Sequence, residues 1–427
     1  MLPSGSTILL ATTRFPPEVR CGVEQVADGL SRGLAEIGYK VVVVTSGDVT
    51  EHIMPSGDIE VFRHKAAFRG DGWWWMFRSF LRFMHGRRVW SCRSARPAGI
   101  ICNSPQYVPW ARMFFPDTPI LFICHGCSEI DKIMLRRSGG SLDLKTRIFL
   151  KFSKAIAKWQ EKLANRMTDR LVVFTEGMRD RIVHYSHVPV SKMDVIANGI
   201  DVGQFGGESS DNSEDIEDIK KSENAVNAES DCKLRICFVG RLTSGKNVQY
   251  LVRALALMAN NPRWICRIVG DGDQRDQLRE IIDGFGLSER VLLTGWCSDM
   301  KEVYDWADIF VLPSKLEGLS IAVLEAMASG LACIGLRPSS GILVDYKGII
   351  EHGVNGMLVD AETPDTLKDA LLKLVNDRKL CEKMGAASRK IANADFTWTT
   401  IAAQYSSLLM DLSRRDLSEL NRCDNVT

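Results

Sequence analysis

Residues 308–330, DIFVLPSKLEGLSIAVLEAMASG, constrain the fold more than any other stretch of the chain. The run 308–313 has the continuous apolar character of a parallel strand buried on both faces, and it ends at Pro313. A short loop follows over 315–319, with Ser320 placed as an N-cap. A helix is expected over 321–329. It stops at Gly330, the residue type favoured just beyond a helix end. This order of strand, glycine loop and helix N-terminus directs free backbone N–H groups, and roughly half a positive charge, outside the strand ends. Glu317 lies in the loop and Glu325 in the helix, with seven residues between them. A phosphate suits the N–H groups, and a polyhydroxyl ligand suits the carboxylates. An ordinary βα unit with one solvated loop glutamate and one helix-face glutamate explains this segment, taken alone, equally well.

The same rhythm of short apolar run, polar loop and amphipathic helix occurs on both sides of an acidic stretch. Residues 208–231 hold nine acidic and two basic residues, with many serines and asparagines and no aromatic. That composition reads as an exposed, disordered insertion between two domains. A chain of 427 residues has the length of two domains of about 200 residues each. Charge divides along the same line. Residues 1–200 carry 28 Lys+Arg and 18 Asp+Glu, and the remainder carries 26 and 35. A basic N-terminal half points to an anionic partner, a membrane surface or a phosphorylated substrate. Nucleic acid is disfavoured, because no helix-turn-helix, zinc or RNA-binding signature is present.

The 12 cysteines are scattered. Cys92, Cys102, Cys124, Cys237, Cys266 and Cys333 lie in or beside apolar runs, where a thiol acts as a small hydrophobe. Cys124 and Cys127 flank His125-Gly126, but no second pair completes a metal site. Reduced thiols place the protein in the cytoplasm. The N-terminus enters an apolar strand without a signal-peptide pattern, and no apolar run reaches the length of a membrane span.

In the N-terminal half, a strand at 8–11, a helix at 23–37 and a second strand at 39–45 make a Rossmann-like opening. It lacks GxGxxG and an acidic residue closing the second strand, which disfavours a dinucleotide. Gly22 is either a turn glycine before a helix or a point of close backbone approach to a phosphate. Residues 73–90, WWWMFRSFLRFMHGRRVW, interleave aromatic and apolar residues with Arg78, Arg82, Arg87 and Arg88. They suit an interfacial membrane helix, and equally a core-packing helix with an arginine-rich outer face. Strands follow at 98–102 and 120–124, the latter ending at His125-Gly126. A polar residue just past a strand's carboxyl end is where such sheets bind ligands, although a lone histidine there is often a satisfied loop residue. A helix at about 145–164, a strand at 171–174, Thr175-Glu176 with a further helix, and the turn Asn198-Gly199-Ile200-Asp201 complete the half.

Beyond the acidic stretch, a strand at 234–239 ends in GRLTSGKN, residues 240–247, before a helix at about 248–258. Arg241 can grip a diphosphate bidentately there, with Lys246 as a point charge. Asp271 and Asp273 resemble a metal-binding pair, but their position ahead of a helix favours turn and N-cap roles. Strands are expected at 264–269, 291–294 and 332–335, with helices over 274–282 and 300–307. Gly353 and Gly356 mark a hairpin-like connection. Helices follow at about 365–376 and 378–393, then an apolar helix at 396–412 and a polar, frayed end over 415–427.

Taken together, these pieces resemble family 4 of the retaining glycosyltransferases, which have the GT-B fold. The resemblance rests on Arg20-Cys21-Gly22 with its helix, Cys124-His125-Gly126, Asn198-Gly199-Ile200-Asp201, and Gly240-Arg241-Leu242 with Lys246. It also rests on Val269-Gly270-Asp271-Gly272, Glu317 to Glu325, and Phe396-Thr397-Trp398. It implies two Rossmann-like β/α/β domains facing a cleft. Residues 1–201 would bind the acceptor, 202–232 would be a linker, and 233–395 would bind the nucleotide sugar. Residues 396–427 would cross back to the first domain.

By matched position, the resemblance gives Arg241 and Lys246 to the donor diphosphate and Glu325 to the ribose hydroxyls. Glu317, with the backbone of Gly318, Leu319 and Ser320, would hold the donor sugar. Gly22 would bring the first loop to the phosphates, and His125 would sit beside the sugar. Glu317, His125, Lys246 and Arg241 form the implied catalytic set, with no protein nucleophile or general base assigned. The implied reaction moves a hexosyl group from a UDP- or GDP-sugar to a glycan or lipid-linked acceptor, with no metal or cofactor, at the cytoplasmic membrane face. Alternatives are a nucleotide-sugar epimerase of the same fold and a catalytically silent membrane-associated partner. The departures are Cys21 in place of a first glycine, Asn247 where glycine is common, and a poor match over 337–345.

Overall fold

The computed structural model describes residues 3, 5–16, 22–47, 51–65, 96–126, 144–205 and 233–424. The aromatic-arginine segment 73–90 and the acidic stretch 208–231 lie outside the described residues. The chain forms two compact units, Met1–Gly199 with Trp398–Thr427, and Ile200–Thr397.

In the first unit, strands β1 (Thr7–Ala11), β2 (Lys40–Gly47), β3 (Glu51–Ser56), β4 (Ile59–Lys65), β5 (Gly99–Cys102), β6 (Ile120–Ile123), β7 (Arg170–Val173) and β8 (Met193–Val195) form one sheet. Their order is β3-β4-β2-β1-β5-β6-β7-β8. Leu9 registers with Val42 on one side and Ile100 on the other, both parallel, so the winding direction reverses between β1 and β5. Ile8, Leu10, Val43, Ile100, Leu121 and Val172 are buried, as continuous apolar runs in a sheet covered on both faces require. Only β3, paired antiparallel with β4, breaks the parallel pattern of the described strands. The sequence reading assigns no strand to 51–65.

Helix α1 (Gly22–Glu36) leads from β1 to β2, and its buried face includes Val26, Leu30 and Leu34. Helices α2 (Val108–Phe114), α3 (Leu144–Met167) and α4 (Glu176–Ser186) follow in this unit. Thr175 caps α4 by accepting from the Met178 amide. In the second unit come α5 (Val202–Phe205), α6 (Val248–Ala256), α7 (Arg275–Gly284), α8 (Met300–Trp306), α9 (Ile321–Ala328), α10 (Pro364–Asn376) and α11 (Arg378–Asp395).

The last helix, α12 (Trp398–Asp424), belongs to the first unit and packs on α1. Trp398 fills a slot lined by glycines. A Cβ at Gly29 would stand 1.9 Å from Trp398 Cε2. One at Gly33 would stand 2.4 Å from the Trp398 carbonyl oxygen, and one at Gly199 2.4 Å from Cε3. The Tyr39 and Ser406 hydroxyls share a buried 2.6 Å hydrogen bond along the same seam. The helix continues to Asp424, which corrects the expected frayed end over 415–424, a stretch whose Arg, Leu, Glu and Ser have ordinary helix propensity; residues 425–427 lie outside the described residues.

Among the described residues, the second unit has six parallel strands, β9 (Leu234–Val239), β10 (Trp264–Val269), β11 (Val291–Gly295), β12 (Ile309–Leu312), β13 (Ala332–Leu336) and β14 (Gly356–Val359). Their order, β11-β10-β9-β12-β13-β14, is the doubly wound order in which ligands bind at the carboxyl ends beside the reversal. Here the reversal falls between β9 and β12, paired Ile309 to Ile236 and Phe310 to Cys237. The expected hairpin around Gly353 and Gly356 is corrected: the turn closes there, but β14 runs parallel to β13.

Helix α9 buries Val323, Leu324, Ala326 and Met327 together with Glu325. Gly330 takes φ +83° after it, as a residue past a helix end does. Arg389 closes that end by donating to the carbonyls of Ala328 and Ser329 at 3.2 and 2.6 Å. No helix among the described residues is long and apolar enough to cross a membrane.

Candidate active site

The loops after β9 and β12 meet at the reversal point of the second unit. After β9 the chain passes Gly240 and Arg241 and makes a 3-10 turn, Ser244–Lys246. Asn247 then takes the left-handed conformation (φ 54°) and starts α6. Asparagine is one of the few side chains that adopts this conformation readily, which accounts for its standing where the resemblance leads one to expect glycine.

The β9 loop is held by backbone contacts to the loop after β10. Leu242 N donates to Asp271 O at 2.9 Å, and Gly240 N to Val269 O at 3.0 Å. A Cβ at Gly270 would lie 2.0 Å from Gly240 O. Asp271 therefore does turn work, with its carboxylate accepting from the Gly272 amide at 2.8 Å. It does not act as the expected N-cap, because Gln274 occupies that position without a side-chain bond.

Lys246 Nζ reaches Glu317 Oε2 at 2.5 Å, and the two side chains are 19% and 15% exposed. The glutamate loop is fixed from two directions. Lys315 N donates to Gly245 O at 2.9 Å. On the other side, Leu343 N donates to Lys315 O at 2.6 Å and Glu317 N to Leu343 O at 3.1 Å. The segment 337–345, a poor sequence match, thus supports Glu317 through backbone bonds that its side chains do not advertise. Gly318 is half-buried, and Leu319 and Ser320 are buried at the start of α9. Ser320 holds the N-cap position without a side-chain bond. Arg241 lies exposed in the same loop as Lys246, and the structure does not join it to the Lys246–Glu317 pair.

Glu325, one helical turn further, is buried. The Tyr304 hydroxyl donates to its Oε2 at 2.8 Å and lies 3.3 Å from Ala322 O. Burial raises the Glu325 carboxyl to about 7, against the lowering effect of the Tyr304 bond. Tyr304 is itself wedged between Phe205 and Phe310, at ring separations of 5.8 and 6.2 Å.

In the first unit, His125 is half-buried just past β6, its ring edge-on to Phe174 at 5.1 Å. Its Nε2 is 2.5 Å from Asn103 Oδ1. Asn103, just past β5, also donates through Nδ2 to Val23 O at 2.8 Å and to Thr12 Oγ1 at 3.3 Å. One amide thus gathers the ends of β1, β5 and β6 and the first turn of α1, where Gly22 is exposed. Burial lowers the His125 pKa to about 4, so the ring is neutral at ordinary pH. Residues 17–21, including Arg20 and Cys21, lie outside the described residues.

The structure therefore pairs Lys246 with Glu317, places Gly318, Leu319, Ser320 and Glu325 immediately after, and groups His125 with the approach to Gly22. Sequence reasoning missed Asn103 and Tyr304. Asn103 stands just past a strand's carboxyl end, the same signal that singled out His125. Tyr304 gives no such signal, since a tyrosine on a helix's buried face reads as core.

Comparison with known proteins gives the same picture. The model of Glycosyltransferase Family 4 matches residues 21–204, and that of Glycosyl transferases group 1 matches residues 219–391. An uncharacterized glycosyltransferase of Methanocaldococcus jannaschii is 26% identical over 402 residues, 93% of this chain and 96% of its own length. The UDP-Gal:alpha-D-GlcNAc-diphosphoundecaprenol alpha-1,3-galactosyltransferase of Escherichia coli is 28% identical over 56% of this chain and 60% of its own. The sucrose-phosphate synthase of Thermosynechococcus elongatus superposes with a TM-score of 0.71, 18% identity and coverage of 95% and 99% of the two chains, a likeness of fold. With two doubly wound units and family models running almost end to end, the chain belongs to the family 4 glycosyltransferases, enzymes of the GT-B fold.

Proposed function

We propose that the protein transfers a hexosyl group, with retention of anomeric configuration, from a UDP- or GDP-sugar to a glycan or lipid-linked acceptor of a cell-surface polysaccharide or glycolipid. The observation that carries this reading is the Lys246–Glu317 pair at the β9/β12 reversal, beside the N-terminus of α9. Departure of a nucleoside diphosphate leaves negative charge on phosphate while positive charge grows at the anomeric carbon. Lys246, Arg241 and the α9 N–H groups stabilise the phosphate, so this chemistry needs no metal.

Donor binding exchanges partners. The diphosphate takes the Lys246 ammonium, and the Glu317 carboxylate is released to accept a sugar hydroxyl. Glu325, held by Tyr304, accepts from the ribose hydroxyls. The E. coli relative, whose name specifies a UDP-sugar and a lipid-diphosphate acceptor, supports the substrate class. Residues 73–90 support peripheral attachment to an anionic membrane.

Calorimetric titration with UDP, GDP and their hexose conjugates tests the donor site, and NMR of the transferred glycoside tests the configuration. Tight binding of one nucleotide, abolished in Lys246→Ala, is expected. Absence of binding by every nucleotide overturns the reading. Release of a free epimerised sugar nucleotide without an acceptor would replace it by the epimerase.

A further inference from the structure

We propose that Asn103 is a positioning residue that locks His125 as its Nε2–H tautomer, so that the ring offers Nδ1 as a hydrogen-bond acceptor to a hydroxyl of a substrate bound at the strand ends of the first unit. The contact to substrate rests on the transfer reaction proposed above; the locked tautomer does not.

The hydrogen bonds of the Asn103 amide fix its orientation. A backbone carbonyl oxygen can only accept, so the 2.8 Å contact to Val23 O must come from Nδ2. That places Oδ1, a pure acceptor, against His125 Nε2 at 2.5 Å, and the ring nitrogen there must carry the proton. Asn103 is 1% exposed, and a side chain buried to that degree, with its donor side tied to α1 and Thr12, cannot turn over without breaking those bonds. Burial disfavours the charged ring, so the second nitrogen stays unprotonated. A neutral imidazole with Nε2–H engaged has one function left at its other nitrogen, which is to accept. Nδ1 has no hydrogen-bond partner among the described residues, and His125 is half-buried. His125 therefore orients a substrate hydroxyl and does not donate a proton to a departing group.

The test is 15N NMR of the histidine rings together with a double-mutant cycle. The chain has seven histidines, and His125→Gln identifies the signal. The wild type should show a protonated Nε2 and an unprotonated Nδ1, and Asn103→Ala should show a mixture of tautomers. Transfer should fall about 10- to 100-fold in Asn103→Ala. In a His125→Ala background the same change should cost less than about 3-fold, because the two residues act as a unit. Equal losses in both backgrounds would mean that Asn103 only holds the loops, and would overturn the inference. So would a wild-type spectrum with Nδ1–H, a result that requires no variant to fold. If His125→Ala retained full transfer while the wild type showed Nε2–H, the substrate contact would fall and the locked tautomer would stand.

Discussion

Lys246 and Glu317, 71 residues apart in sequence, meet through a 2.5 Å contact that ties the loop after β9 to the loop after β12. The lysine must leave this partner to serve a diphosphate. Removing the carboxylate's charge should therefore free the ammonium. Glu317→Gln is expected to bind UDP or GDP without sugar about 3- to 10-fold more tightly than wild type, while transfer falls about 100-fold or more. Lys246→Ala should lose both. Calorimetry with the bare nucleotide, set beside steady-state transfer rates, checks the opposite signs.

The raised pKa of Glu325 sets a pH dependence. A carboxyl that titrates near 4.5 when unfolded and about 7 when folded holds more protons in the native state between those values. Stability contributed by this group is therefore lost as pH rises from about 4.5 to 7, and the loss is complete above 7. Glu325→Gln keeps an acceptor for Tyr304 without the charge. Its stability relative to wild type should increase by on the order of 3 kcal/mol between pH 4.5 and 8. Thermal unfolding at both pH values measures this difference, and donor binding should weaken in the same variant.

Asn247 offers a test of backbone conformation at the donor loop. At φ 54° and 4% exposure, Asn247→Ala should cost about 1–2 kcal/mol, whereas Asn247→Gly should stay within about 1 kcal/mol of wild type. Urea unfolding of the two variants compares them directly.

The slot around Trp398 should resist change from either side. Trp398→Ala leaves a large void and should cost about 3–5 kcal/mol. Gly33→Val should also be severely destabilising, because even its Cβ would meet the Trp398 carbonyl at 2.4 Å. In both variants the first unit should unfold at lower urea than wild type, as followed by tryptophan fluorescence.

Much of the framework was legible because parallel strands buried on both faces write themselves as continuous apolar runs. The runs at 8–11, 120–124, 234–239 and 308–313 fall on β1, β6, β9 and β12 with ends displaced by a residue or two. The β3–β4 pair was not legible. It lies at the sheet edge, where the run EHIMPS is short, polar and interrupted by proline. Gly353 and Gly356 announced a turn but not the direction of the strand that follows. At the site, local pattern identified Lys246 and Glu317 one at a time, since each follows a strand. Their pairing depends on β9 and β12 being neighbours across the reversal, which no local pattern encodes. The bond from Tyr304 to Glu325 likewise depends on how α8 meets α9, and backbone support of Glu317 by Leu343 is independent of side-chain identity.

The seam between α1 and α12 also bears on how the chain is made. Tyr39 and Ser406 are 367 residues apart. At about 5–20 residues per second, roughly 20–70 s of synthesis separate them. Throughout that interval the glycine face of α1, at Gly29 and Gly33, waits for Trp398. The unit that leaves the ribosome first is thus the one that cannot finish folding until the unit behind it has been translated.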